Sequence, residues 1–225
     1  SYHWSPDSKW ITYTKEGDND MSVVWIYNTQ TEEKFKVTEG WYESTEPNFS
    51  DDGKYLVLSS SRTFDPIYSN VEWNYAYEDM EKVYLITLQK STPSPFAPQN
   101  DEVATDEKEE KEEKSGEVEI TIDKDGIHNR IIALPVQASN YGNIYAINNK
   151  VYYQEYNSDN HQASIKMFDL EEEKETTLGT GMHFTISPNN KKMLVRKNKT
   201  YAVIDLPTSE IQMKETVDMS DMKVV

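Results

Sequence analysis

Ser5-Pro6-Asp7-Ser8-Lys9-Trp10 runs directly into the alternating stretch Ile11-Thr12-Tyr13, and the chain repeats the arrangement. Ser50-Asp51-Asp52-Gly53-Lys54-Tyr55 leads into Leu56-Val57-Leu58, and Ser187-Pro188-Asn189-Asn190-Lys191-Lys192 into Met193-Leu194-Val195. A looser copy, Ile147-Asn148-Asn149-Lys150, precedes Val151-Tyr152-Tyr153. Each copy is a turn with a physical basis. Proline at the second position presets φ, Asp or Asn bonds its own backbone, and Gly or Asn accepts positive φ. Residues that favour strands follow each time, as in a hairpin.

A third strand comes next in every copy: Val23-Val24-Trp25-Ile26-Tyr27, Val83-Tyr84-Leu85-Ile86, Ile165-Lys166-Met167-Phe168 and Tyr201-Ala202-Val203-Ile204. Polar turns then lead to a short fourth strand, as at Glu33-Lys34-Phe35-Lys36-Val37 and Glu210-Ile211-Gln212-Met213. Four antiparallel strands in about 40 residues is the signature of a β-propeller blade. Helical solenoids repeat at similar lengths but need apolar residues at i, i+3 and i+4, whereas the spacing here is two. An ordinary β-sandwich is the rival. The fold class is therefore all-β, with blades at residues 1–40, 41–136, 137–179 and 180–216. The second blade is stretched by an aromatic insertion, 62–80, and an acidic one, 99–117. Propellers close with about 4–8 blades. A chain that starts within a strand reads as an excised arc of a larger ring, whose unpaired edges need covering.

The 225 residues carry 40 acidic and 23 basic side chains, a net charge of −17. A basic footprint for nucleic acid or anionic lipid is missing, and no run approaches the roughly 18–20 apolar residues of a membrane span. Neither nucleic acid nor membrane is expected as a partner. Cysteine is absent, which excludes disulfides, thiolate metal sites and a cysteine nucleophile. Fifteen Tyr, 5 Trp and 6 Phe can build a core from strands with one buried face. Much of the acidity is local: Asp101–Glu119 holds ten acidic residues against Lys108, Lys111 and Lys114. With so little apolar side chain to order it, that stretch reads as a disordered, solvated surface loop, with a short helix through Asp106–Lys114 as a variant. A cation or a basic partner is its functional alternative. Pro93, Pro95 and Pro98 mark the exit from regular structure.

Reactive constellations are hard to find. None of the four histidines, His3, His128, His161 and His183, has a metal-ligand spacing. His3 and His183 take equivalent places on innermost strands and read as packing residues, and His161 reads as a hairpin tip. Ser59-Ser60-Ser61 ends a strand, and no Gly-x-Ser-x-Gly elbow is present. Asp18-Asn19-Asp20 lacks the length and terminal Glu of a calcium loop and reads as a turn. No catalytic, cofactor or metal residue is assigned, and no cofactor is expected. The aromatic insertion is the strongest contact candidate. Phe64, Tyr68, Trp73, Tyr75 and Tyr77 cannot all enter one blade's core, so they form either a surface for peptide or a neighbouring domain, or a lid over their own blade. Arg62 adjoins them and could anchor a carboxylate, although a surface ion pair is the commoner fate of such an Arg.

The segments Ser59–Tyr68 and Val71–Tyr77 resemble the tricorn proteases, as do Pro93-Ser94-Pro95-Phe96-Ala97-Pro98, Asp125-Gly126-Ile127 with Arg130, Ala133–Val136 and Asn140-Tyr141-Gly142. They occur in the family's order across nearly the whole chain. The resemblance implies a multidomain serine peptidase with two propellers ahead of a PDZ domain and a split catalytic unit. It places this chain in the C-terminal part of the second, seven-bladed propeller, short of the catalytic segments. The expected role is then non-catalytic: admitting peptides to a hydrolase site elsewhere in a homo-oligomeric, cytoplasmic parent, or a periplasmic one if it carries a leader. The alternatives are a stand-alone TolB-like interaction module and, more weakly, the propeller of a prolyl-oligopeptidase-type enzyme.

Overall fold

The computed structural model describes residues 1–68, 75–97, 118–158 and 161–218. Its strands form a series of antiparallel meanders. The first sheet orders β1 (Tyr2–Trp4), β2 (Trp10–Glu16), β3 (Ser22–Asn28) and β4 (Lys34–Lys36) side by side. The second contains β5 (Ser44–Phe49), β6 (Tyr55–Ser61), β9 (Glu81–Thr87) and β10 (Ile131–Ala133). Between β6 and β9 in sequence lies the hairpin β7 (Pro66–Tyr68) with β8 (Tyr75–Tyr77). The third sheet runs β11 (Tyr141–Ile147), β12 (Lys150–Tyr156), β13 (Ala163–Asp169) and β14 (Lys174–Thr180). The fourth holds β15 (His183–Ile186), β16 (Lys192–Lys197) and β17 (Thr200–Asp205). Helix among the described residues is one 3-10 turn, Ile127–Asn129.

The repeated turns share one hydrogen-bond pattern. Ser5 Oγ donates to Asp7 Oδ1 at 2.6 Å and accepts the Trp10 N–H at 2.9 Å. Ser50 does the same with Asp52 (2.7 Å) and Tyr55 (2.9 Å), and Ser187 with Asn189 (2.8 Å) and Lys192 (2.9 Å). The fourth position turns left-handed in each: φ is 57° at Ser8, 69° at Gly53 and 56° at Asn190. Asn148 and Asn149, at 52° and 58°, make the two-residue hairpin of the looser copy. Burial raises the Asp7 carboxyl, but hydrogen bonds from Ser5, Ile120 and Lys9, with the Lys9 charge, hold it below the ordinary value.

Strand alternation then fills the spaces between sheets. Leu56, Leu58, Tyr84 and Ile86 of the second sheet pack on Val24, Ile26 and Val37 of the first. Their neighbours Tyr55, Val57, Val83 and Leu85 face the other way, onto Tyr141, Val151, Tyr153 and Phe168 of the third. The third sheet's remaining face, with Tyr152, Ile165 and Met167, meets Phe184, Met193 and Val195 of the fourth. Sheets packed face to face in sequence order around shared inner strands are propeller blades. The innermost strands are also bridged by amides: Asn48 Nδ2 donates to the Ile144 carbonyl at 3.0 Å, and Asn143 Nδ2 to the Phe184 carbonyl at 2.7 Å.

The series is not closed. On the first sheet's far face, register aligns Tyr2 with Tyr13, Trp25 and Lys36, and Trp4 with Ile11, Tyr27 and Lys34. On the fourth sheet's far face lie Thr185, Leu194 and Val203, the last two 40% and 54% exposed.

One expectation needs correction. Glu210–Met213 is not a fourth ladder strand. Ile211, 6% exposed, drops into the core beside the third sheet, where its N–H donates to the Leu178 carbonyl at 2.8 Å. The apolar side chain outweighs the ladder, and among the described residues beyond β17 the pairing is a single bridge between Ala202 and Thr216. The acidic insertion, 99–117, lies outside the described residues, and the chain that follows it is packed. Val118, Ile120 and Ile122 enter the core between the first two sheets. Ile120 donates its N–H to Asp7 Oδ2 at 3.0 Å, and Glu119 pairs with Lys9 at 2.9 Å. A Cβ on Gly53 would sit 2.8 Å from Ile120 Cγ1, so this crossing needs glycine there.

Candidate functional site

The inner strands of all four sheets border one opening, lined among others by Pro6, Asn48, Asp51, Tyr145, Pro188 and Asn189. Its rim is made of the repeated turns, so the same motif that starts each blade also shapes the mouth. Two inner strands carry matching bulges, between Thr45 and Asn48 and between Gly142 and Tyr145, with Glu46 and Asn143 at φ 52° and 53°. Asn143 donates its N–H to Glu46 Oε2 at 3.3 Å. His3 stands edge-on to Tyr145, ring centres 6.4 Å apart. Burial lowers the His3 imidazole, against the opposing pull of Glu46. Asp51 is pushed up by burial, while the Asn148 N–H pulls it back. The lining is mixed, with Asn48, Asp51, Asn189 and Asn190 beside Trp4, Phe49, Tyr145 and Ile186.

A second feature sits between the first and second sheets, where a cleft is lined by Glu39, Trp41, Tyr42, Arg62 and His128 among others. Arg62, one residue past β6, places its guanidinium carbon 4.9 Å from the Tyr42 ring centre and 5.3 Å from that of Tyr84. Its Nε donates to Ser60 Oγ at 3.1 Å. Tyr84 is buried, which raises its phenol, with Arg62 working the other way. Phe64 touches Tyr42 (5.9 Å) and meets Tyr77 edge-to-face (6.0 Å). Phe64 stays 55% exposed, Tyr77 47% and Trp41 79%.

Of the candidate residues, Arg62, Phe64 and Tyr77 are thus brought together. Tyr68 and Tyr75 are register partners in the β7–β8 hairpin, and Trp73 lies outside the described residues. Arg62 departs from the ion pair expected of it: among the described residues its partners are two rings and a hydroxyl. Tyr42 and Tyr84 were missed. Register carries a signal for Tyr42, two residues before the Ser44–Ser60 pair and so opposite Arg62, whereas Tyr84 stands in mid-strand opposite Leu58, four residues before Arg62.

The remaining polar groups are structural. Ser59 Oγ donates to Glu81 Oε2 at 2.8 Å, and the same oxygen accepts the Tyr141 N–H at 2.8 Å; Ser59 is fully buried and presents no nucleophile. Lys166 lies between Glu155 (2.9 Å) and Glu175 (3.0 Å) inside the third sheet. Burial lowers the Lys166 ammonium, but the two carboxylates win and hold it above its ordinary value. Asp18-Asn19-Asp20 is the β2–β3 turn, with Asn19 Nδ2 on the Gly40 carbonyl at 2.9 Å. His161 is exposed, and His183 Nδ1 lies 3.0 Å from Gln154 Nε2.

Residues 1–207 match the family model described as the tricorn protease second beta propeller domain. Tricorn protease homolog 1 of Streptomyces coelicolor is 28% identical over 208 residues, 85% of this chain and 20% of the relative. The tricorn protease homolog of Saccharolobus solfataricus is 24% identical over 215 residues, 91% of this chain and 19% of the relative. The chain thus spans about a fifth of the relatives' length. The crystal structure of the tricorn protease superposes with a TM-score of 0.73 at 18% identity, covering 96% of this chain and 22% of that one. TolB from Acinetobacter baumannii follows at a TM-score of 0.55 and 14% identity, covering 93% of this chain and 41% of that one, a likeness of fold alone.

Proposed function

This chain belongs to the tricorn protease family, within its second β-propeller domain, and on that premise we propose that it is a non-catalytic guide for peptide substrates. The observation behind the reading is the shared opening, bordered by four inner strands, three of them bridged by Asn48 and Asn143; on this reading it admits unfolded or short chains and turns folded protein away. Main-chain and amide contacts hold an extended peptide with little regard for sequence. Hydrolysis belongs to a serine-peptidase unit elsewhere in the parent, beside a PDZ domain, in a homo-oligomeric and cytoplasmic assembly. The TolB-like module is the weaker reading, because only the backbone trace supports it.

The test uses the parent enzyme. The chain has no Cys, so Pro6→Cys places one thiol for this domain at the rim, ready for a bulky maleimide-polymer adduct. Turnover of a long unfolded polypeptide should fall several-fold on labelling, while a short fluorogenic peptide is hydrolysed nearly as before. Unchanged turnover of both would remove the guiding role.

A further inference from the structure

We infer that Arg62, held between the rings of Tyr42 and Tyr84, is a binding site for a carboxylate of a peptide chain. The inference rests on the guiding role proposed above and gives it a chemical preference.

An Arg is charged at every relevant pH, and a guanidinium between two π-faces loses part of its freedom before any ligand arrives. Here the rings lie at 4.9 and 5.3 Å, and the Nε–H is fixed on Ser60 Oγ. Ser60 is itself anchored, donating to the Glu43 carbonyl at 2.9 Å. That leaves the Nη1 and Nη2 groups, which bond no described residue, at a cleft open to solvent. Two parallel N–H donors on a rigid plane match the two oxygens of a carboxylate.

Among the described residues, neither acid closest in the fold pairs with the guanidinium. Glu39 lies 3.5 Å from His128 on the cleft wall, and Glu43 accepts the Ser22 N–H at 2.9 Å. The molecule's charge of −17 means long-range attraction does not deliver an anion to this point. A preformed fork is the device that overcomes such a field locally. Trp41, 79% exposed, lines the same cleft and is open to the side chain next to the carboxylate.

The ligand carboxylate has two sources, a peptide C-terminus or an Asp or Glu side chain, and the experiment separates them. Fluorescein-labelled hexa-alanine as the free acid and as the C-terminal amide is titrated into the chain by anisotropy, with amidated peptides carrying one internal Glu or Gln as the second pair. The free acid should bind about tenfold tighter than its amide if the terminus is the source, and the Glu peptide about tenfold tighter than the Gln peptide if the side chain is. Arg62→Gln should erase the difference, and Arg62→Lys should recover only part of it, because an ammonium has neither the fork nor the stack. Circular dichroism checks that the variants fold, and the acid–amide comparison on the unaltered chain decides the matter even if they do not. Equal binding of all four peptides overturns the clamp and leaves the guiding role standing; no binding of any overturns both.

Discussion

Removing the same three heavy atoms from two leucines tests the radial packing. Leu58 on β6 is fully buried and faces Val24, Ile26 and Val37 across the space between the first two sheets. Leu194 on β16 is 40% exposed on the fourth sheet's far face, beside Thr185 and Val203. Leu58→Ala loses the whole transfer term and leaves a void between two rigid sheets, about 3–4 kcal/mol. Leu194→Ala loses part of the transfer term and opens no cavity, about 1 kcal/mol. The difference is a large share of the about 5–15 kcal/mol that holds a domain folded. In thermal melts it corresponds to a drop of about 6–16 °C for Leu58→Ala and about 2–4 °C for Leu194→Ala. Urea titrations with a common m-value would confirm that both act on the folded state. Equal costs for the two substitutions would mean that Leu58 does not lie between sheets, and the reasoning would fail.

Other outcomes follow from the same structure. Ser50→Ala removes a hydroxyl that donates to Asp52 and accepts the Tyr55 N–H, and should cost about 1–2 kcal/mol in urea unfolding. Tyr152, 2% exposed, has its phenol pushed up to about 12 by burial, with the Asp169 charge adding to it. Its folded value lies above the unfolded value of about 10, so its contribution is complete below pH 10 and disappears as pH rises towards 12. Tyr152 alone should therefore account for a loss of about 2 kcal/mol over that interval, the part of the fall that Tyr152→Phe removes. Asp7 and Asp169 are held below the ordinary carboxylate value, Asp169 chiefly by Lys150, so their contribution is present above about pH 4 and lost on acidification. Arg130 donates to the carbonyls of Thr87, Asp125, Leu88 and Asp123, pinning the return from the acidic insertion. Arg130→Lys should speed amide exchange around Asp123–Ile127 without slowing exchange in β12.

Much of the fold was readable because the turns are chemically explicit. A Ser followed two residues later by Asp or Asn, with a left-handed residue after that, appears three times and starts a second strand each time. Period-two alternation then gave the face of each central strand, as Leu56 and Val57 show by entering different cores. What escaped were features decided between sheets. Nothing local marks Ile211 as core rather than ladder, since its partner Leu178 belongs to another blade. The Val118–Ile122 crossing follows an acidic run whose composition hides it. For the candidate site, Arg62 and its aromatic neighbours were visible as types, but the rings that hold it come from β9 and from the segment before β5, distant in sequence.

The claim on which everything rests is that the sheets radiate from a common axis. The absence of Cys allows spin labels to be placed at will. One pair, Pro6→Cys with Pro188→Cys, lies on two inner turns lining the same opening; the other, Lys34→Cys with Asp205→Cys, lies on the outer strands of the same two sheets. Pulsed electron resonance should give a clearly shorter distance for the inner pair than for the outer pair. Equal distances, or a shorter outer one, would contradict the propeller and the guiding function built on it.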